Sequence, residues 1–212
     1  MFRPRALVRG RMDPRHPYQL LPLFTTGLVL AIWLIGIHAL MLAKPAATRE
    51  FLTKFPRNQI LGQILLGIGL GWFWLLIAPD NLGKLSALTM NLGEFNSAKG
   101  ILRVLIPVSL VLVCISVRDF LAVRALGLVG LMAAAPLLGA AYLKDPSSRL
   151  LVPIFAYAML TASLFCVGMP YLFRDAVTWV TADPKRWTLL SLAGLGYGIA
   201  TAVCAFSFWR GY

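Results

Sequence analysis

The sequence predicts an all-α integral membrane protein, with about six transmembrane helices arranged as three helix hairpins and joined in part by short interfacial helices. Hydrophobic residues make up 59 % of the 212 positions and the mean hydropathy is +0.77, more apolar surface than a soluble domain of this size can bury. Six apolar runs come close to or exceed the roughly 20 residues that a helix needs to cross hydrocarbon. An Arg-acid dipeptide (Arg49-Glu50, Arg118-Asp119, Arg174-Asp175) stands between the first and second, third and fourth, and fifth and sixth runs. Each copy is followed within a few residues by more basic charge (Lys54 and Arg57; Arg124; Lys185 and Arg186) and then by a Gly- or Ala-rich apolar run.

The chain opens with a basic arm, 1–19, carrying Arg3, Arg5, Arg9, Arg11 and Arg15. The next run, Leu20 to Leu42, is longer than the roughly 7 to 15 residues of a signal-peptide core and has no small-residue cleavage site beyond it. It reads as the first transmembrane helix, and 20–212 as one transmembrane domain of hairpins 20–78, 98–143 and 151–209. In the first hairpin Pro45 ends one helix and Pro56 precedes the next. The stretch from Phe51 to Phe55 between them is placed in the headgroup layer, and the second span is Asn58 to Ala78. The long connection Pro79 to Ser97 carries Leu85, Leu88, Leu92 and Phe95 at helical spacing, which predicts a surface helix near 84–95. Ala98 to Val117 and Val123 to Leu143 form the second hairpin, with a tight turn and no proline before Arg118. Lys144 to Arg149 is a turn in which Ser147 or Ser148 is available to cap the fifth span, Leu151 to Pro170.

The third hairpin repeats the first. Pro170 precedes Arg174 as Pro45 precedes Arg49, Ala176 to Val180 with Trp179 forms a second interfacial stretch, and Pro184-Lys185 leads into the sixth span, Trp187 to Trp209. The likeness suggests an internal duplication. The shared demands of re-entering a bilayer, which needs Pro, Arg and an aromatic at the interface, account for it equally well.

Small residues predict the packing. Gly67 and Gly71 form a GxxxG step in the second span and Gly194 and Gly198 another in the sixth, while Gly127, Gly130, Ala134, Ala135 and Gly139 give the fourth span a similar face. Such faces let backbones touch in lipid. The second helices of the three hairpins are therefore expected to meet at the centre, ringed by the bulkier first helices; the other use is contact within each hairpin. Trp72, Trp74, Tyr171, Trp179, Trp187 and Trp209 fall at span ends and read as an interfacial belt.

The net charge of +12 comes from 20 Lys and Arg against 8 acids. In a membrane chain such an excess serves topology and anionic headgroups. No nucleic-acid partner is expected, because no folded basic domain with interleaved aromatics accompanies the arm. Basic residues divide almost evenly between the two sides, so the N-terminal cluster decides the orientation: both termini cytoplasmic, in a bacterial inner membrane. The candidate contacts for lipid headgroups or another anion are Arg49, Arg118 and Arg174, with Arg57, Arg124 and Arg186. Each dipeptide's acid could bond free N–H groups of an interfacial helix. An anchoring Arg needs only a long cation and tolerates Lys, whereas a specific anion site needs the two-pronged guanidinium.

Catalytic chemistry is not legible. All eight acids lie in connections or at span ends, so the midplane carboxylate that proton- and sodium-coupled carriers commonly keep is missing. His38 and Arg103 are the ionisable groups at depth; His38 reads as a hydrogen-bonded helix residue and Arg103 as able to snorkel. There is no histidine pair for haem, no HExxH or Cys and His cluster for zinc, no GxSxG and no Asp-rich magnesium cluster. Cys114, Cys166 and Cys204 each fall inside a span and read as packing residues. No catalytic, metal or cofactor-binding residue is assigned, and no cofactor is expected.

The expected function is that of a non-catalytic multi-pass protein, a structural or accessory subunit or scaffold of a membrane assembly. Its expected partners are anionic membrane lipids and other membrane subunits or further copies of itself. The alternatives are a small oligomeric transporter or channel component and a membrane-embedded enzyme acting on lipid. A continuous polar cavity between the helices would favour transport; a dry core with an exposed apolar flank would favour a subunit.

Overall fold

A computed structural model describes residues 16–79, 81–117 and 119–212. Arg118 and the arginines of the N-terminal arm lie outside the described residues. The helices are α1 (Leu23–Ala43), α2 (Pro45–Lys54), α3 (Gln59–Leu76), α4 (Lys99–Ser116), α5 (Leu121–Ala141), α6 (Leu151–Gly168), α7 (Pro170–Thr181) and α8 (Pro184–Phe208). Six of them, α1, α3, α4, α5, α6 and α8, are long and apolar enough to cross a membrane, the apolar stretch of α4 beginning at Gly93. The chain is an all-α, multi-pass integral membrane protein, and α2 and α7 are short helices set between its spans.

Proline sets where the helices break. A residue before proline is driven out of the helical region by the proline ring. Lys44 and Met169 precede Pro45 and Pro170, and they adopt nearly the same backbone, φ −131° with ψ 62° and φ −131° with ψ 66°. That one non-helical residue lets α2 leave α1, and α7 leave α6, in a new direction. Asn58 starts α3 by accepting from the Leu61 amide at 3.0 Å, and Asp183 starts α8 by accepting from the Lys185 amide at 2.8 Å, both filling N-terminal orphan donors. The tight second turn is made at Phe120, whose φ of 56° is left-handed.

Helix α5 is the hub, packed between α3 and α6, while α1 pairs with α8. Each contact is closed by a glycine. A Cβ added at Gly62 of α3 would stand 2.7 Å from the Ala122 nitrogen of α5, and one at Gly127 of α5 would stand 2.7 Å from the Ser163 carbonyl of α6. At one end the two groups of helices are joined by a core of Leu23, Ala141, Val152, Ala205 and Trp209. At the other end Phe55, Phe120 and Phe173 close over Ala122 and Val123.

Several expectations are corrected. Helices α3 and α5 do meet, but α8 packs on α1 instead of joining them, because its Gly194 and Gly198 face receives His38, Leu34 and Ile35 of α1. The surface helix near 84–95 is replaced by two 3-10 helices, Gly83–Leu88 and Gly93–Ala98. Each begins at a glycine in the left-handed region, φ 61° at Gly83 and 60° at Gly93, and the segment between them turns back to α3, where Met90 N–H donates to the Leu76 carbonyl at 2.8 Å. Bonding the open C-terminus of α3 satisfies orphan carbonyls, which an independent surface helix would leave bare. Neither Ser147 nor Ser148 caps α6; Ser148 Oγ instead accepts from Trp209 Nε1 at 2.9 Å. Trp187 and Trp209, read as belt residues, are 1 % and 0 % exposed and wedge the two ends of α8 into the protein.

Candidate functional site

The first, third and fifth connections lie at the same end of the bundle, and aromatic side chains tie them together. Phe55, which follows α2, packs on Phe173 of α7 with ring centroids 5.8 Å apart and on Phe51 at 6.0 Å. Phe120 of the second turn joins the same cluster. Three of the basic side chains singled out in the sequence stack on aromatic rings of these connections and of the start of α8. Arg174 stands over the Phe120 ring at 5.9 Å, Arg186 over Trp179 at 4.5 Å and Arg49 over Trp187 at 5.0 Å. Guanidinium planes on ring faces gain a cation–π attraction of about 0.5–1 kcal/mol when exposed and more when desolvated. Arg57 and Arg124 are exposed; Arg118 lies outside the described residues.

The dipeptides are not equivalent. Arg174 donates through Nε and Nη2 to one oxygen of its own neighbour Asp175, at 2.9 and 2.8 Å. Glu50 instead takes Lys54 Nζ at 2.6 Å, and that hydrogen bond, with the charge behind it, holds the Glu50 carboxyl below the usual carboxylate range. The pair is therefore intact above the ordinary Glu range and is lost as pH falls through the lowered value. Glu50 and Asp175 sit in the interiors of α2 and α7, out of reach of the free N–H groups expected to bind them; Asp183 is the acid that caps a helix, α8. Arg49 is left with its Nε buried and without a hydrogen-bond partner among the described residues. Two of the stacked guanidiniums are thus matched by Asp175 and Asp183, the latter 3.8 Å from Arg186 Nε, whereas Arg49 lies on the Trp187 face with no ion pair among the described residues.

The glycines assigned to packing divide by face. Gly127, Gly130, Gly194 and Gly198 are pressed against neighbouring helices, whereas a Cβ at Gly67 or Gly71 meets nothing within 4 Å. The tight contacts of α3 are made by Gly62 and Gly69, the latter with Leu128 at 2.8 Å. These two lie two turns apart on one helix face, a spacing the sequence shows but does not rank above the GxxxG step.

Between α1 on one side and α5 and α6 on the other runs an open groove of about 710 Å³, lined by apolar groups such as Val29, Trp33, Ala133, Met159 and Phe173. The buried hydroxyls Ser191 and Thr201 are spent on carbonyls of their own helix, Trp187 and Tyr197. At the opposite end of the molecule Arg103, expected to snorkel, reaches the end of α3: Nε donates to the Ile77 carbonyl at 2.7 Å and Nη2 to Ala78 at 3.3 Å. A cation at a helix C-terminus is favoured by the helix dipole, and Trp74 Nε1 returns a bond to the Arg103 carbonyl at 3.2 Å. Among the described residues no three His, Cys, Asp or Glu side chains gather where a metal ion could be held.

The fold and these features define a multi-pass α-helical membrane protein with a basic, aromatic-backed end and an apolar lateral groove. Comparison with protein-family models, curated proteins and solved structures gives no match.

Proposed function

We propose that the protein is a non-catalytic structural or accessory subunit of a membrane assembly, meeting its partner along α4 and anionic lipid at its basic aromatic end. The observation that carries this reading is α4 itself. Ile106 is its one buried residue, and Ile101, Val104, Leu105, Val111, Leu112 and Ile115 are all more than half exposed. Among the long helices it packs mainly on α3, with its last turns also against the Leu66, Leu121 and Ala125 cluster, and the rest of its surface is an apolar flank of the kind that fits a second membrane helix. The groove argues in the same direction, since its apolar lining suits hydrocarbon and offers no row of polar groups to carry a solute. The reading places the chain in a bacterial inner membrane with both termini cytoplasmic. The test is native mass measurement after gentle extraction: a complex of fixed stoichiometry supports a subunit, and a lone chain with retained lipid contradicts it.

A further inference from the structure

Away from the Arg-acid turns, the connection 83–98 overhangs the first turn of α4 and leaves an open cleft of about 540 Å³. Lys99 and Arg103 are the charged side chains in its described lining, and both are cationic. They stand four residues apart on one helix face, where like charges repel, and neither makes an ion pair among the described residues. Arg103 uses Nε and Nη2 on the Ile77 and Ala78 carbonyls at the end of α3, and among the described residues Nη1 has no partner.

Ser86 and Thr89 spend their hydroxyl protons on the Gly83 and Ala78 carbonyls, whereas the two asparagines of the cleft keep donors. Asn91 Oδ1 accepts from the Gly93 amide at 2.9 Å and from Asn96 Nδ2 at 2.5 Å, and Asn96 Oδ1 accepts from the Leu92 amide at 3.1 Å. Backbone N–H donors can face only oxygen, so these bonds fix which way both amides point. With their carbonyl oxygens occupied, Asn91 keeps two N–H donors and Asn96 one among the described residues. Gly100 adds room, for a Cβ there meets nothing within 4 Å. The cleft therefore combines two cations with spare amide donors, which is the chemistry of an anion site.

We propose that this cleft binds a phosphate group, held by Lys99, Arg103 and the side-chain amides of Asn91 and Asn96. The proposal does not depend on the subunit reading. A phosphate at the first turn of a membrane span has two sources, the headgroup of an anionic phospholipid or a soluble phosphate compound.

The test uses the full chain in nanodiscs of phosphatidylcholine alone, the same with phosphatidylglycerol, and phosphatidylcholine with added inorganic phosphate, reading thermal midpoint and ligand retained. Lys99→Gln removes a cation and Gly100→Phe fills the cleft from an open position, so both keep the wild-type midpoint in phosphatidylcholine. Each weakens phosphate-group binding about tenfold or more, the effect of losing one charge-assisted bond, and Lys99→Arg restores it. Loss confined to phosphatidylglycerol discs identifies a lipid headgroup; loss of inorganic phosphate binding identifies a soluble ligand. Binding of both probes unchanged in both variants overturns the proposal.

Discussion

The imidazole of His38 rests on Gly194, so that α1 and α8 touch where α8 has no side chain. His38 Nδ1 donates to the Leu34 carbonyl at 2.8 Å, which holds the ring in that position. One turn further, Gly198 faces Leu34 and Ile35, with a built Cβ 2.9 Å from Ile35 Cγ1. A side chain at Gly194 has to displace the ring. Gly194→Leu should therefore lower stability in detergent by about 1–3 kcal/mol, and His38→Ala in the same chain should recover part of that loss. Thermal melts of the two single variants and the double variant give the coupling, expected at about 0.5–3 kcal/mol; strictly additive effects would show that the two residues do not meet.

Helix α3 offers a paired test on one element. Gly69 is closed by Leu128, whereas Gly71 faces open space. Gly69→Leu should cut folded yield sharply and Gly71→Leu should leave the melting point within experimental error. The opposite order would mean that α3 is rotated from the face described.

The stacked arginines make a third prediction. Arg174 is exposed and paired with an exposed Asp175, an arrangement worth roughly 0–1 kcal/mol, so Arg174→Lys should be almost silent. Arg49 lies over the buried Trp187 ring with its Nε out of solvent. Lys has no planar group to lay there, and Arg49→Lys should cost about 1 kcal/mol, read as a lower melting point. Equal tolerance at both positions would assign both arginines to simple anchoring.

The spans were legible because a membrane helix writes its length and apolarity directly into sequence. The breaks at Pro45 and Pro170 were legible for the same kind of reason, since proline acts locally. Which small residues face inward was not, because Gly62, Gly67, Gly69 and Gly71 all satisfy the requirement for close approach and only the partner helix selects among them. Trp187 and Trp209 misled for a related reason: a tryptophan at a span end is equally suited to the headgroup layer and to a socket such as the one over Gly27, and the socket is made by a residue far away in the chain. Leucines in the 83–98 connection carried helical spacing, yet the open carbonyls of α3 drew that segment into turns.

A chain that crosses on all six long helices has its two ends on one side of the membrane. Paired reporter fusions should report the same compartment for the N-terminus and for Tyr212, and fusions within 81–97 should agree with them. A C-terminal reporter on the opposite side from the N-terminal one would require an odd number of crossings.

Photo-cross-linking inside intact membranes decides whether the chain is a subunit that meets its partner along α4. A cross-linking residue at Leu105 or Leu112 of α4 is compared with one at Leu189 of α8, which is more exposed than either. A protein adduct of one discrete mass is expected from both α4 positions, and lipid adducts alone from Leu189. Lipid adducts alone from all three positions would contradict the subunit reading.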